Sequence, residues 1–303
     1  MSELRLMTDW EDGGKRLDAY LSDYLEGYSR TYIQKLIDQG AVRIDGRIQK
    51  RSFRLSGEEQ LVLEIPENRL PDVEPENIPL EIVFEDDELM VVNKPKGMVV
   101  HPAPGHKSGT LVNAVLYHTA GQLSGINGVL RPGIVHRIDK DTTGLLLVCK
   151  NNRAHEGVGA QLKAHSILRR YTALAEGRLK EEEGEVNAPI GRDKNNRLRM
   201  GIDPKGGREA ITRYRVVERF QKYSLLHCRL LTGRTHQIRV HMASLGHPLA
   251  GDLLYGGKSL GKEPGQYLHA GLIGFRHPVS GEYMEFEAPL PAYFAERLQK
   301  LEK

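Results

Sequence analysis

The 303-residue sequence predicts an α+β fold, in which a large C-terminal domain with a mostly antiparallel mixed sheet follows a small N-terminal α/β domain. The length and the 39% hydrophobic content are enough for one large core with a small satellite. In the second part of the chain, predicted strands outnumber helices and follow one another through short turns. That order favours antiparallel pairing over a doubly wound parallel sheet.

A proline-rich acidic segment separates the two predicted domains. The stretch "IPENRLPDVEPENIPLE" carries four prolines at nearly regular spacing among acidic residues, a composition typical of an extended, semi-rigid connector. We therefore predict a small domain over 14–66, a linker over 67–79 and a large domain over 80–303.

Two short helices and a hairpin are predicted in the small domain. The segments "RLDAYLSDYL" and "SRTYIQKLIDQG" have apolar residues at helical spacing, with Ser29 as N-cap and Gly40 as the end of the second helix. The alternation in "AVRIDGRIQK" around Asp45 and Gly46 predicts a tight hairpin, and "EEQLVLEI" predicts a further strand.

Basic residues are concentrated in the small domain, although the whole chain has a net charge of only +3. Between residues 29 and 54 the sequence contains seven basic and two acidic residues. This excess of positive charge predicts contacts to phosphates, with a solvated basic face as the alternative. The seven are Arg30, Lys35, Arg43, Arg47, Lys50, Arg51 and Arg54.

The large domain is predicted to contain at least six strands and two helices. The helices cover 110–118 and 154–165. The strands are "LEIVFED", "ELMVVNK", "GLLLVCK", "RYTALAEG", "ITRYRVVERF" and "YSLLHCRLLTG".

A cytoplasmic protein is expected. Cys149 and Cys228 lie in apolar segments far apart, which predicts two reduced core thiols rather than a disulfide. The N-terminus has no apolar signal region, and the longest apolar runs are too short to span a membrane.

Three tempting motifs fail on inspection. In "GDLLYGGKS", a phosphate-binding loop would need glycine at Asp252, and "HRID" lacks the other kinase motifs. His236 and His241 are five residues apart, so a helix would separate their side chains by roughly 140°, and no metal site is expected.

The two remaining dense stretches are "HRIDKDTTG" and "TGRTHQIRVHMASLGHPLAGDLLYGG". In the second, Thr235 is predicted to cap a helix that ends at Gly246 and Pro248. Its apolar stripe contains Ile238, Met242 and Leu245. Arg239 then lies away from the centre of this stripe, available to a carboxylate or a phosphate, with a surface salt bridge as the alternative.

Together, "HRIDKDTTGLLL" and "GRTHQIRVHMASLGHPLAGDLLYGG" resemble the RNA pseudouridine synthases that modify large-subunit ribosomal RNA. "NKPKGMVVHPAPG" and "RRYTALAEG" match the same family in the same order. The basic module resembles the small RNA-binding domain named after a small-subunit ribosomal protein, the S-four type. The matches extend over nearly the whole chain, with Ile138 in place of the common leucine as a conservative departure.

The resemblance implies a catalytic role for three residues. Asp139 matches the catalytic aspartate, which attacks either the sugar or the uracil ring, and Arg239 matches its partner, expected to hold the carboxylate by two hydrogen bonds. Tyr171 matches the active-site tyrosine, with an ordinary inward-facing strand residue as the alternative. Asp141 is expected to cap the turn at Thr142 and Thr143. The reaction gains no atom from outside, so no cofactor is expected.

The resemblance also implies RNA contacts beyond the reacting uridine. Arg137 is the candidate wedge that fills the gap left by the flipped base. His136, Lys140, Lys94 and Lys96 are expected to contact phosphates. In the small domain the same is expected of Arg30, Lys35, Arg43 and Arg47.

The expected function is isomerisation of specific uridines in large-subunit (23S) ribosomal RNA. The protein is expected to act as a monomer, without a membrane partner and without a nucleotide cofactor. The alternatives are a transfer-RNA pseudouridine synthase and a non-catalytic RNA-binding protein for ribosome assembly. A hydrolase of N-glycosidic bonds is a further alternative, since Asp139 and Asp141 form a carboxylate pair.

Overall fold

The computed structural model describes residues 2–25, 30–65, 73–102, 106–126, 131–194, 196, 198–260 and 264–303. The chain forms two compact units. The first comprises Met1–Glu74 and Ser124–Gly133, and the second comprises Pro75–Leu123 and Ile134–Lys303. Within the described ranges, no helix is both long and apolar enough to cross a membrane. The predicted domain boundaries stay predictions.

The first unit packs two helices with a small antiparallel sheet whose strand order is β1-β4-β2-β3. Its elements are β1 (Ser2–Met7), α1 (Leu17–Tyr24), α2 (Arg30–Asp38), β2 (Val42–Ile44), β3 (Arg47–Ile48) and β4 (Gln60–Ile65). One apolar cluster joins helices and sheet through Leu17 and Leu21 of α1, Ile33 of α2, and Leu61 and Leu63 of β4.

The predicted local signals of this unit are confirmed. Gly40 has φ +76°, and its N–H bonds to the carbonyl of Ile37, so the left-handed residue ends α2. Asp45 (φ +48°) and Gly46 (φ +76°) both have positive φ, as a two-residue turn between strands requires. The predicted cap Ser29 lies outside the described residues.

A mixed sheet of nine described strands forms the centre of the second unit. The order is β5-β6-β7-β14-β8-β13-β12-β9, with β15 beside β14. Only β7 and β14 pair in parallel among the described strands; every other pair is antiparallel, as the sequence predicts. A separate two-stranded ribbon joins β10 and β11.

The strands of this unit are β5 (Glu81–Glu85), β6 (Leu89–Lys94), β7 (Thr143–Cys149), β8 (Leu168–Glu176), β9 (Glu183–Asn187), β10 (Ile190–Arg192), β11 (Met200–Ile202), β12 (Ile211–Arg219), β13 (Tyr223–Leu230), β14 (Leu268–Arg276) and β15 (Tyr283–Glu287). The helices are α3 (Leu111–His118), α4 (Asn152–Lys163), α5 (Gln237–Ser244) and α6 (Ala292–Gln299).

The core lies around β7 and β14. Every residue of β7 is buried, and all of β14 except Arg276 is buried as well. Both cysteines are free and buried, as predicted, and burial raises the pKa of the Cys149 and Cys228 thiols to about 12. This rigid centre supports the loop that precedes β7.

Candidate active site

Asp139 lies in the loop that leads into β7, next to the point where β7 and β14 meet. The N–H of Thr142 bonds to the carbonyl of Asp139 at 3.1 Å. At Gly144, φ is +112° and a Cβ would collide with the backbone of Ala270 in β14. Glycine is therefore required where β7 and β14 run side by side, directly after the loop that carries Asp139.

The predicted cap by Asp141 is wrong, because other residues support the turn. The Thr142 hydroxyl accepts a hydrogen bond from Gln266 Nε2 at 2.9 Å, and the Thr143 hydroxyl pairs with His269 Nδ1 at 2.8 Å. Both partners belong to the segment that leads into or forms β14. The loop is therefore held by long-range contacts, which a local turn signal cannot reveal.

Arg239 connects two carboxylates. Its Nη1 donates to Asp139 Oδ2 at 3.0 Å, while Nε and Nη2 donate to Asp252 at 2.6 and 2.8 Å. The paired hydrogen bonds therefore go to Asp252, and the expectation that they go to Asp139 is corrected. Arg239 is only 7% exposed, which rules out the surface salt bridge.

Electrostatics keeps this arginine charged. Burial alone would lower the pKa of Arg239, but its hydrogen bonds to Asp252 and the charge of Asp139 raise it overall. The side chain of Asp252 is 1% exposed, and that of Asp139 is 16% exposed. The inner carboxylate thus anchors the guanidinium, and the outer one faces the site.

Sequence reasoning missed Asp252 and Tyr255 as site residues. The guanidinium carbon of Arg239 lies 4.9 Å from the centre of the Tyr255 ring, and the Tyr255 hydroxyl lies 2.8 Å from His236 Nδ1. Both residues belong to "GDLLYGG", which is part of the family pattern. By itself this segment was assessed only as a phosphate-binding loop, and it did not match one. The unused signal was the presence of an acid and an aromatic in that motif.

The start of α5 differs from the prediction. The helix begins at Gln237, and the preceding His236 has a left-handed backbone (φ +57°) without a side-chain cap bond, so Thr235 is not the cap. Instead, Gln237 Oε1 accepts the N–H of Arg234 at 2.9 Å. Leu245 is 42% exposed and does not continue the buried stripe.

Tyr171 lies on β8 and is 7% exposed. Burial raises the pKa of Tyr171 to about 12; the charge of Arg169 opposes this rise and that of Asp139 adds to it. Arg169 is two residues earlier on the strand and therefore on the same face, where its Nη2 donates to the Thr232 carbonyl at 3.3 Å. The hydroxyl of Tyr171 is therefore neutral at neutral pH and feels the Asp139 charge.

The predicted wedge Arg137 and two predicted phosphate contacts, Lys140 and His136, have different surroundings near Asp139. Arg137 and Lys140 are exposed, with Arg137 Nη1 3.4 Å from His101 Nε2. His136 Nε2 accepts the N–H of Leu147 at 3.1 Å, and burial together with the Arg169 charge lowers its pKa to about 3. His136 is thus an uncharged structural residue, and its predicted phosphate contact is corrected.

Lys94 is not at the surface. Its fully buried ammonium donates to the carbonyls of Pro95, Met98 and Lys140 at 2.8, 2.8 and 3.0 Å. Burial lowers the pKa of Lys94 to about 7, against the opposing charges of nearby aspartates. Lys94 therefore connects β6 to the loop that carries Asp139 and does not meet phosphates.

Lys96 is also turned away from solvent. Its Nζ is buried and lies 4.0 Å from the centre of the Tyr293 ring and 5.2 Å from that of Tyr267. This position over two aromatic faces is a cation–π arrangement. The predicted phosphate contact at Lys96 is therefore also corrected.

In the first unit, the basic residues lie mainly at the surface. Lys35, Arg43 and Arg47 are exposed, while Arg30 donates to the buried carboxylate of Asp18 at 3.1 Å. An exposed cation without rigid surroundings can reach a phosphate at little cost in desolvation. The phosphate contacts of the first three residues stay predictions, whereas Arg30 also pairs with α1 through Asp18.

Within the described part of the chain, no group of three or more His, Cys, Asp or Glu side chains is arranged to hold a metal ion. Both nitrogens of His241 have protein partners, the Thr212 hydroxyl at 2.9 Å and the Ala188 carbonyl at 2.9 Å. His236 instead approaches Asp139. The two histidines thus have separate surroundings.

Many known proteins match this chain in sequence. A family profile described as RNA pseudouridylate synthase matches residues 88–244, and the S4 domain profile matches residues 15–61. The chain is 47% identical over 303 residues to an uncharacterized RNA pseudouridine synthase, YlyB, of Bacillus subtilis, covering 100% of this chain and 99% of that protein. It is 48% identical over 290 residues to the ribosomal large subunit pseudouridine synthase D of Zymomonas mobilis, covering 92% and 91%.

Solved structures agree with the sequence matches. The structure of human RNA pseudouridylate synthase domain containing 1 has a TM-score of 0.56 and 27% identity, covering 75% of this chain and 86% of that one. The profile covers more than half of the chain, and the bacterial relatives match it nearly end to end. This protein therefore belongs to the RNA pseudouridine synthase family of enzymes, with an S4 RNA-binding domain ahead of its catalytic region.

Proposed function

We propose that this enzyme converts uridines of large-subunit (23S) ribosomal RNA to pseudouridine, with Asp139 as the nucleophile. The observation that carries the proposal is the single hydrogen bond between Arg239 and Asp139 Oδ2 at 3.0 Å, made by a guanidinium that Asp252 holds in place. The arginine engages one carboxylate oxygen, so Oδ1 is left to face the substrate as the attacking atom.

The reaction then proceeds without any atom gained from outside. Attack by Asp139 breaks the bond between uracil N1 and the sugar carbon, and the electron pair stays with uracil; attack on the ring instead leads to the same detachment. Uracil turns, and its C5 bonds to the sugar carbon. The bond that Asp139 formed, to the sugar carbon or to the ring, breaks and returns the free carboxylate, and the proton on C5 moves to N1. Tyr171 supplies the aromatic face and a neutral hydroxyl that relays this proton.

A uridine within folded RNA must leave its stack to meet Asp139. The exposed Arg137, two residues before the nucleophile, is the proposed wedge that fills the gap. Lys140 contacts a phosphate of the neighbouring RNA backbone, and Lys35, Arg43 and Arg47 of the S4 domain contact further RNA phosphates. Asp139, Arg137 and Lys140 stand within four residues, so flipping and chemistry are adjacent in the chain.

The choice of ribosomal RNA comes from the relatives. Several, including those of Zymomonas mobilis and Pasteurella multocida, are named ribosomal large subunit pseudouridine synthase D, at 48% and 42% identity. The S4 domain adds an RNA-binding module suited to a large structured target. Action as a cytoplasmic monomer without a cofactor is part of the same proposal.

Mapping of pseudouridine in ribosomal and transfer RNA from cells that lack the gene tests this proposal. We expect sites in large-subunit RNA to disappear, to return with the wild-type gene, and to remain absent with Asp139→Asn. Loss only in transfer RNA would contradict the proposed substrate. Unchanged RNA everywhere would favour a non-catalytic assembly role, and free uracil released from RNA by the purified enzyme would favour a hydrolase.

A further inference from the structure

His236 lies beside the oxygen that Arg239 leaves open. Its Nε2 is 3.9 Å from Asp139 Oδ1, while the arginine contact is on Oδ2. Arg239 and His236 thus lie beside different oxygens of one carboxylate. A separation of 3.9 Å is too long for a direct hydrogen bond, so the imidazole stands beside the carboxylate without being bonded to it.

The Tyr255 hydroxyl favours the tautomer of His236 that carries its proton on Nε2. This oxygen accepts the N–H of Met200 at 2.8 Å, and its own hydrogen is left to be donated to His236 Nδ1, also at 2.8 Å. A neutral imidazole that accepts at Nδ1 carries its proton on Nε2. Burial lowers the pKa of His236 and raises that of Tyr255, so both are neutral at neutral pH. The N–H on Nε2 therefore faces the site.

The backbone at His236 supports a functional position. Its φ of +57° is an uncommon conformation for a residue other than glycine, and it directly precedes α5. Its side chain is 18% exposed, so it is neither a packed core residue nor a free surface residue. The ring also meets the Tyr255 ring edge-on, with 5.6 Å between the centres. The imidazole is therefore held in place yet open to the site.

We propose that His236 is a further catalytic residue, whose Nε2–H donates a hydrogen bond to a carbonyl oxygen of the uracil during detachment, with Tyr255 as its positioning residue. This inference rests on the proposed function of Asp139. Attack on the sugar leaves the electron pair of the broken bond on uracil, where it spreads onto the carbonyl oxygens. Attack on the ring places negative charge on a carbonyl oxygen as well. A neutral donor serves both routes.

A donor aimed at developing charge accelerates the chemical step more than it strengthens binding. Removal of one such donor typically lowers kcat by about 10² to 10³-fold. We therefore expect His236→Leu to lower kcat by about 10²-fold while KM for the RNA changes by less than about threefold. We expect His236→Gln, which restores an N–H near the position of Nε2, to recover at least about tenfold of that loss.

The matched control is His165→Leu. His165 is also a histidine with a left-handed backbone (φ +56°) next to a helix end, but it is exposed and has no place in the site. Tyr255→Phe removes only the hydroxyl that orients the imidazole, and we expect a kcat between those of wild type and His236→Leu. Thermal midpoints and RNA affinity are measured for all variants.

The experiment is a single-turnover assay of pseudouridine formation in large-subunit RNA. His165→Leu with wild-type activity and His236→Leu with a low kcat that glutamine rescues support the proposal. Activity of His236→Leu within about threefold of wild type overturns it. If His236→Leu does not fold, the other two variants decide: kcat of the folded His236→Gln about 10²-fold below wild type, together with wild-type activity of Tyr255→Phe, overturns the proposal. Wild-type enzyme that forms no pseudouridine contradicts the proposed function instead.

Discussion

The substitution Asp252→Asn tests whether the inner carboxylate sets the position of Arg239, the arginine proposed to hold the nucleophile. Asp252 accepts two charge-assisted hydrogen bonds from Arg239, at 2.6 and 2.8 Å, and its side chain is 1% exposed. Asparagine has nearly the same shape but keeps only one acceptor and turns an NH2 group towards the guanidinium. One hydrogen bond to a charged group contributes about 1.5–3 kcal/mol, and we expect the free energy of unfolding to fall by that amount.

The catalytic effect is expected to be larger than the stability effect. Arg239 relaxes towards Asp139, and a displacement of about 1 Å at a reacting group costs on the order of 10² in rate. We therefore expect kcat of Asp252→Asn to fall about 10²-fold with RNA affinity unchanged. Pseudouridine formation under single turnover and urea unfolding followed by circular dichroism measure the two quantities.

Glu287→Gln is the matched control for Asp252→Asn. Glu287 also accepts from an arginine, Arg170, at 2.6 Å, but its side chain is 67% exposed. Such an exposed pair contributes at most about 1 kcal/mol, and it has no part in the site. If Asp252→Asn keeps kcat within about threefold of wild type, or is no less stable than Glu287→Gln, the anchoring role is refuted.

Two further predictions concern charge. The double variant Arg43→Ala and Arg47→Ala should weaken RNA binding and reduce the slope of log affinity against log salt by about 1.5–2, whereas Arg213→Ala, whose arginine pairs with Glu185, should leave the slope unchanged; filter binding over a salt series measures both. An unaltered slope would contradict the phosphate contacts. For Lys94, burial lowers the pKa to about 7, below the value of about 10.4 in an unfolded chain. The unfolded chain therefore binds more protons between these pH values, and wild-type stability should rise relative to that of Lys94→Met as pH increases from about 7 to 10. A stability difference between the two proteins that does not depend on pH would show that the three carbonyls keep Lys94 fully charged in the folded protein.

Much of the fold was predictable because its signals are local. The Asp45–Gly46 turn and the end of α2 at Gly40 need only the φ preferences of those residues. Strands with β-branched or aromatic residues were found as well. By contrast, β14 (Leu268–Arg276) was missed, since "LHAGLIGFR" combines glycine, alanine and histidine. Its strand conformation depends on pairing with three other strands, which is a tertiary effect.

In the site, the sequence identified the residues proposed to react better than the residues that hold them in position. The family pattern brought Asp139, Arg239 and Tyr171 to attention, and the structure places Arg239 against Asp139. The partners that depend on folding were not accessible in this way. Asp252, thirteen residues from Arg239 in the sequence, accepts a hydrogen bond from it, and the ammonium of Lys94 points inward to three carbonyls. From the sequence alone, a lysine beside a glycine- and proline-rich loop is predicted to lie at the surface, and only the structure shows that it is buried.

The central claim is that the carboxylate of Asp139 performs the isomerisation, and the most direct test compares Asp139→Asn with Asp141→Asn in single-turnover assays on large-subunit RNA. Asparagine at 139 keeps the shape and an acceptor for Arg239 but cannot act as a carboxylate nucleophile. The account predicts no detectable pseudouridine with Asp139→Asn, with RNA binding retained, and substantial activity with Asp141→Asn. Pseudouridine formed by Asp139→Asn at a rate near that of wild type would contradict it.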